Sequence, residues 1–279
     1  MRVSRRVPIA VAALAVSGLL TTFVGAQEFW PRWDRFLAGP RMARPDSFDG
    51  SFQVCRGMYR RHPRGIGGGW STDYPSADVN LSIRFAELTR APVNRDTSGG
   101  PNHLVVRLTD SELFRCPFLL MSEVGAAYFD EDDVARLREY FLKGGFLWVD
   151  DFWGSYAWQV WEEQISKVFP SEQYPIQDLP RDHVVFRTLF DLPEGVPQVP
   201  SINFWLGTGG ATSERGLDSS DVHARGIFDD RGHMMVFMTH NTDISDSWER
   251  EGEDPGYFYT FSVNGYALAV NVLLYAMTH

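Results

Sequence analysis

Three short stretches of the chain are apolar at almost every position: residues 116–121 (CPFLLM), 146–149 (FLWV) and 233–239 (HMMVFMT). Runs this short and this continuous predict strands covered on both faces. Residues 51–59 (SFQVCRGMY) alternate apolar and polar and predict a first strand. Residues 103–108, 201–206 and 224–228 predict further short strands. Between them the period changes to that of a helix. Residues 76–89 carry Val79, Ile83 and Phe85 behind Ser76, a candidate N-cap. Residues 131–142 carry Val134, Leu137 and Phe141 on one face behind Asp130, and Gly144-Gly145 ends that helix. Residues 157–168 and 265–278 predict two more helices. Strand, helix, glycine stop, strand, helix is the order of an α/β domain with a mostly parallel sheet flanked by helices. Residues 242–258, acidic and aromatic, read as an insertion. Residues 27–50, rich in Pro, Arg and aromatics, read as an irregular arm leading into a single domain over 51–279.

Composition adds a compartment. Arg2, Arg5 and Arg6 precede an uncharged apolar run and then Val24-Gly25-Ala26, which predicts a secretory signal over residues 1–26 and a periplasmic or secreted body. The alternative is an uncleaved anchor, the one case in which a membrane is a partner. The net charge is −10, and the signal contributes only positive charge, so the rest is more acidic still. Such a surface repels phosphate backbones and excludes nucleic acid as a general partner. Cys55 and Cys116 are the only cysteines. They read either as a disulfide in an oxidising compartment or as two buried thiols.

In parallel α/β sheets, sites lie at the carboxyl ends of strands. Two predicted strand ends carry polar clusters, Asp150-Asp151-Phe152-Trp153 and His240-Asn241-Thr242-Asp243. Carboxylates beside an imidazole suit cation binding or acid–base chemistry. The candidates for chemistry are therefore Asp150, Asp151, His240 and His183, the last from a Pro-rich loop expected to reach over the crevice. Asp150 is expected to be the structural member of its pair and Asp151 the one facing the crevice. Arg60, Trp153, Asn241 and Asp243 are the candidate ligand contacts. Arg60 belongs to a basic patch with Arg61, His62 and Arg64, whose alternative role is pairing with Asp73, Asp78 or Asp150. No GxSxG, GxxxxGK[ST], HExxH or strand-following GxGxxG occurs. No metal-ligand spacing motif occurs either, so neither a metal nor a cofactor is expected. Gly67-Gly68-Gly69 reads as a flexible turn.

Several of these residues form a broader pattern: Gly69-Trp70…Asp73-Tyr74, Pro117-Phe118-Leu119, Lys143-Gly144-Gly145-Phe146-Leu147…Asp150-Asp151, Asp182-His183 and Asn271-Val272…Tyr275-Ala276. The pattern, over roughly residues 50–278, resembles the bacterial domain of unknown function 4159. That family is similar to the class I glutamine amidotransferase-like superfamily. The resemblance implies a flavodoxin-like or amidotransferase-like fold in which the turn at residues 149–152 corresponds to the one that carries the cysteine nucleophile of true amidotransferases. Here that turn reads Val-Asp-Asp-Phe. Two functions follow as expectations. One is an exported, non-catalytic module that binds a small molecule or a protein through Asp150, Asp151, His183, Arg60 and Trp153. The other is a hydrolase acting on a carbohydrate or related small molecule, metal-assisted in one version, with Asp151 and His183 as acid/base pair. Trp153, Tyr156, Trp205 and Trp248 would then stack on sugar rings.

Overall fold

The computed structural model describes residues 39–278; the predicted signal at 1–26 and residues 27–38 of the arm lie outside the described residues. Nine strands are named in chain order: β1 (Val54–Met58), β2 (Arg60–Arg61), β3 (His103–Arg107), β4 (Phe118–Ser122), β5 (Ala127–Tyr128), β6 (Phe146–Asp150), β7 (Gln177–Asp178), β8 (His223–Phe228) and β9 (Met234–His240). Seven form one sheet in the order β3-β1-β4-β6-β9-β8-β7, and β2 pairs with β5 apart from it. The five from β3 to β9 are mutually parallel, while β8 runs antiparallel to both its neighbours. The sheet is therefore mostly parallel, as the pattern predicts. The end of the arm joins it too: Met42 bridges Val105 of β3 in parallel.

Helices cover both faces. We name α1 (Ser76–Thr89), α2 (Glu131–Leu142), α3 (Gly154–Val168), α4 (Ile202–Thr208), α5 (Asp246–Glu249) and α6 (Val263–Thr278). Leu137, Phe141, Trp161 and Ile165 of α2 and α3 pack with Leu119, Met121, Leu147 and Val149 on one face. Leu81 and Phe85 of α1 and Leu268, Val272 and Tyr275 of α6 pack with Phe118, Leu120, Trp148 and Phe237 on the other. β4, β6 and β9 are buried along their whole length, which explains their lack of alternation. The helix that includes α6, Pro255–Thr278, is long and apolar enough to cross a membrane by length and composition, but it is mostly buried and serves as a core helix.

Local chemistry sets the boundaries. Asp130 Oδ1 accepts from the Asp133 amide (3.0 Å) and Asp133 Oδ2 from the Asp130 amide (3.2 Å), a reciprocal cap that starts α2. After α2, the Tyr140 ring lies 2.3 Å from where a Cβ of residue 145 would stand, so only glycine fits there. Cys55 of β1 and Cys116, just before β4, form a disulfide with Cα atoms 6.0 Å apart.

Three expectations need correction. Ser76 is the first residue of α1 rather than its cap, which is Pro75. The predicted strand at 201–206 is instead the helix α4, Ile202–Thr208: Ser201 Oγ accepts from the Phe204 amide and Gly209 closes the helix in the left-handed region. The cap at its start outweighs the strand preference of its aromatic residues. Residues 242–258 do not merely decorate the surface. Ile244, Ser247 and Trp248 are fully buried, so this segment is part of the core beside the sheet's carboxyl edge.

Candidate functional site

Each of three central strands ends in a left-handed residue. Glu123 follows β4 at φ 54°, Asp151 follows β6 at φ 56°, and Asn241 follows β9 at φ 64°. A fourth, Asp73, at φ 64°, lies in the loop before α1. The only other non-glycine residue of this kind among the described residues, Arg90, closes a helix. A side chain in this region costs of order 1–2 kcal/mol, and such residues gather where function requires a particular backbone. The glycine loop supports Glu123: a Cβ on Gly67 would stand 1.7 Å from Glu123 Oε2. Gly67 is thus a close backbone approach rather than a flexible turn.

These turns bring carboxylates together. One oxygen each from Asp73, Asp151 and Asp243 lies within 4.8 Å of the other two, and all three carboxylates are buried. Asp73 is half-buried as a residue, but its Oδ2 is enclosed and has no hydrogen-bond partner. Asp151 Oδ1 accepts from Trp153 Nε1 at 3.2 Å. Asp243 Oδ1 accepts from the Asp246 amide at 2.8 Å. Burial, then repulsion from neighbouring carboxylates, pushes all three acids well above the usual carboxylate range.

Asp150 turns the other way. It is fully buried. Its Oδ1 accepts from Thr239 Oγ1 (2.6 Å) and its Oδ2 from the amide and hydroxyl of Ser245 (2.8 and 2.9 Å). Burial raises its pKa and these hydrogen bonds oppose the rise. Successive residues leaving a strand diverge, so Asp150 fastens β6 to β9 and to the start of α5 while Asp151 joins the cluster.

The other predicted residues separate. His240 is at the same sheet edge, but Nε2 is 3.1 Å from the Gly154 carbonyl and Nδ1 is 3.4 Å from Arg225 Nη1. Its ring stacks on Phe152 and His223, and burial lowers its pKa to about 4. Asn241 Oδ1 accepts from the Gly154 amide and its Nδ2 donates to the Asp221 carbonyl. Both residues hold the turn after β6 in place. Arg60 pairs with Asp130 and Asp133 at the start of α2. His183 does not reach the crevice. Its ring lies 6.1 Å from that of Phe228 and 6.0 Å from that of Tyr275, whose hydroxyl accepts from the Met234 amide at the start of β9. Asp151 is level with the other end of β9, roughly 20 Å away along the strand at about 3.3 Å per residue. The structure thus separates the Asp151–His183 pair.

Two residues of the candidate site are not among the candidates drawn from the sequence. Asp73 enters the sequence pattern as part of the family resemblance and as a possible partner of the basic patch. Arg56 is fully buried in β1. It forms a two-point pair with Asp78 (2.6 and 3.3 Å) and donates to Ser122 Oγ and the Thr72 carbonyl. Through Thr72 it fixes the loop that presents Asp73. An arginine in an otherwise apolar strand followed by an aspartate in a Trp-Ser-Thr-Asp-Tyr-Pro loop was the available signal.

A family model, that of a domain of unknown function, matches residues 59–277. The chain belongs to the DUF4159 family. The match spans β2 to α6 and includes Asp73, Asp151 and Asp243. No curated protein matches the chain. This DUF4159 domain has no free thiol, because its only two cysteines are joined to each other. The residue at the strand-to-helix turn is Asp151, whose ionised form is disfavoured first by burial and then by its acidic neighbours.

Proposed function

We propose that this DUF4159 domain is an exported, non-catalytic binding module whose crevice takes a positively charged ligand. The observation that carries this reading is the convergence of Asp73, Asp151 and Asp243 in a buried site. Like charges in a poorly solvated place are costly unless a proton or a cation compensates them. Arg56, the buried cation beneath them, is already engaged by Asp78.

Numbered among themselves along the chain, the parallel strands run 2-1-3-4-5, the order of flavodoxin-like sheets. The left-handed Asp151 between β6 and α3 supports kinship with the amidotransferase-like turn. The disulfide supports export, since such bonds persist in oxidising compartments. The hydrolase reading has less support, because the proposed acid/base pair is split across the sheet.

The test is a thermal-shift screen at neutral pH with metal salts, polyamines and guanidinium compounds beside sugars and carboxylates. Cations are expected to raise the melting temperature of wild type and not of Asp151→Asn. Stabilisation by sugars or anions alone would overturn the reading.

A further inference from the structure

We infer that the ligand of the Asp73–Asp151–Asp243 cluster is a single hard divalent cation of the Mg2+, Mn2+ or Ca2+ class. This rests on the reading that the crevice takes a positive ligand, and narrows it. The three residues come from separate segments: the loop before α1, the turn after β6 and the loop after β9. Their oxygens lie within 4.8 Å of one another. Such ions hold oxygens at about 2.0–2.6 Å, so opposite ligands stand roughly 4–5 Å apart, and one ion reaches all three carboxylates.

The independent observation is Asp73 Oδ2. This oxygen of a cluster residue is enclosed and accepts no hydrogen bond. An orphaned buried carboxylate oxygen is destabilising, and a bound ion supplies the missing partner. The other two carboxylates are oriented as metal ligands usually are, each held by a donor behind it: Trp153 Nε1 on Asp151 and the Asp246 amide on Asp243.

The donor set selects the ion class. All three donors are carboxylate oxygens, which favour hard cations over zinc or copper. The imidazole at this edge, His240, is turned onto Gly154 and Arg225. Burial selects against organic cations. Asp151 and Asp243 are 5% and 4% exposed, and an ammonium or guanidinium group would have to bring its carbon stem in with it. The adjacent set Asp73, Asp246 and Glu249 is similarly compact. There, however, Glu249 is only partly buried, so water already meets part of its carboxylate's demand for a partner. The ion is therefore assigned to the first set.

The experiment is isothermal titration of the chelator-treated full chain with MgCl2, MnCl2, CaCl2 and ZnCl2 at neutral pH. One hard ion per chain is expected, bound more tightly than zinc. Asp73→Asn, Asp151→Asn and Asp243→Asn should each weaken binding by about tenfold or more, and Glu249→Gln by less than about twofold. Should the variants misfold, a manganese-soaked crystal of wild type decides: an anomalous peak among the three carboxylates is expected, and a peak elsewhere or none overturns the site. Metal binding unaffected by all three Asn variants also overturns it. If guanidinium or spermidine binds in an Asp151-dependent way while no metal does, the metal assignment falls and the cationic-ligand reading stands. If no cation of either kind binds, both fall.

Discussion

Replacing Asp150 with alanine removes the acceptor for three donors at once. The Ser245 amide cannot turn away from the vacated space, so its unmet hydrogen bond carries most of the cost, about 1–3 kcal/mol for a buried donor. The two hydroxyls cost less. Thr239 Oγ1 also lies 3.1 Å from the Val149 carbonyl and can turn to it. Against this, the variant no longer holds a carboxylate whose charge is disfavoured by burial. The net expectation for Asp150→Ala is a loss of about 2 kcal/mol. In a domain of this size that lowers the melting temperature by roughly 4–8 °C. Asp150→Asn keeps one carbonyl oxygen for the Ser245 amide and should recover about half of the loss. Asp151→Asn keeps an acceptor for Trp153 and removes a repelled charge, so without metal its stability should equal or exceed that of wild type. Urea and thermal melts of the three variants, in chelator at neutral pH, provide the assay. The reasoning is refuted if Asp150→Ala melts with wild type, or if Asp151→Asn is the more destabilised of the two sites.

Three further outcomes follow from the geometry. Burial holds Asp246 at about 7, against about 4 when unfolded. The folded form therefore keeps a proton that the unfolded form has lost, and stability falls as pH rises from about 4 to 7. Measured in chelator, Asp246→Asn should gain on wild type by up to about 2 kcal/mol between pH 5 and 7, and a constant difference would show that Asp246 is not protonated when folded. His240 has the opposite sign: buried and neutral, with a pKa near 4, it favours the folded state most above pH 6.5 and loses that contribution as pH falls toward 4, so His240→Gln should flatten the acid limb of a pH–stability curve. Replacing Cys55 and Cys116 together by alanine opens a loop with a sequence separation of 61 and should cost about 2–5 kcal/mol in equilibrium unfolding; a change below about 1 kcal/mol would mean that the cross-link constrains little of the unfolded chain.

The parallel sheet was legible because β4, β6 and β9 are covered on both sides and so carry unbroken apolar runs. α2 was legible because Asp130 and the two glycines mark its ends. Strand order was not, since adjacency depends on which crossover turns back. Only the structure places β3 outside β1. The site was half legible. Asp150 and Asp151 stand at the end of β6 and Asp243 three residues past the end of β9, where a parallel sheet puts its chemistry. Asp73 does not, and its role depends on Arg56 and Thr72 holding a loop whose sequence looks like a plain turn. The loop with His183 misled because proline and polar residues suggest a mobile flap, whereas its ring packs beside Phe186, Phe228 and Tyr275. Residues 242–258 misled for the opposite reason. They read as an acidic insertion, yet Asp243 and Asp246 are buried.

Three buried carboxylates, on this account, bind one cation. That binding is tested most directly by the melting temperature of wild type and of Asp151→Asn at pH 7.5, each in chelator and then in excess divalent cation. At about a hundred times the dissociation constant, binding adds roughly 2.7 kcal/mol, which raises the wild-type melting temperature by roughly 5–11 °C. The account predicts that rise for wild type and almost none for Asp151→Asn. Equal shifts in both proteins, or no shift in wild type with any of magnesium, manganese and calcium, would contradict it.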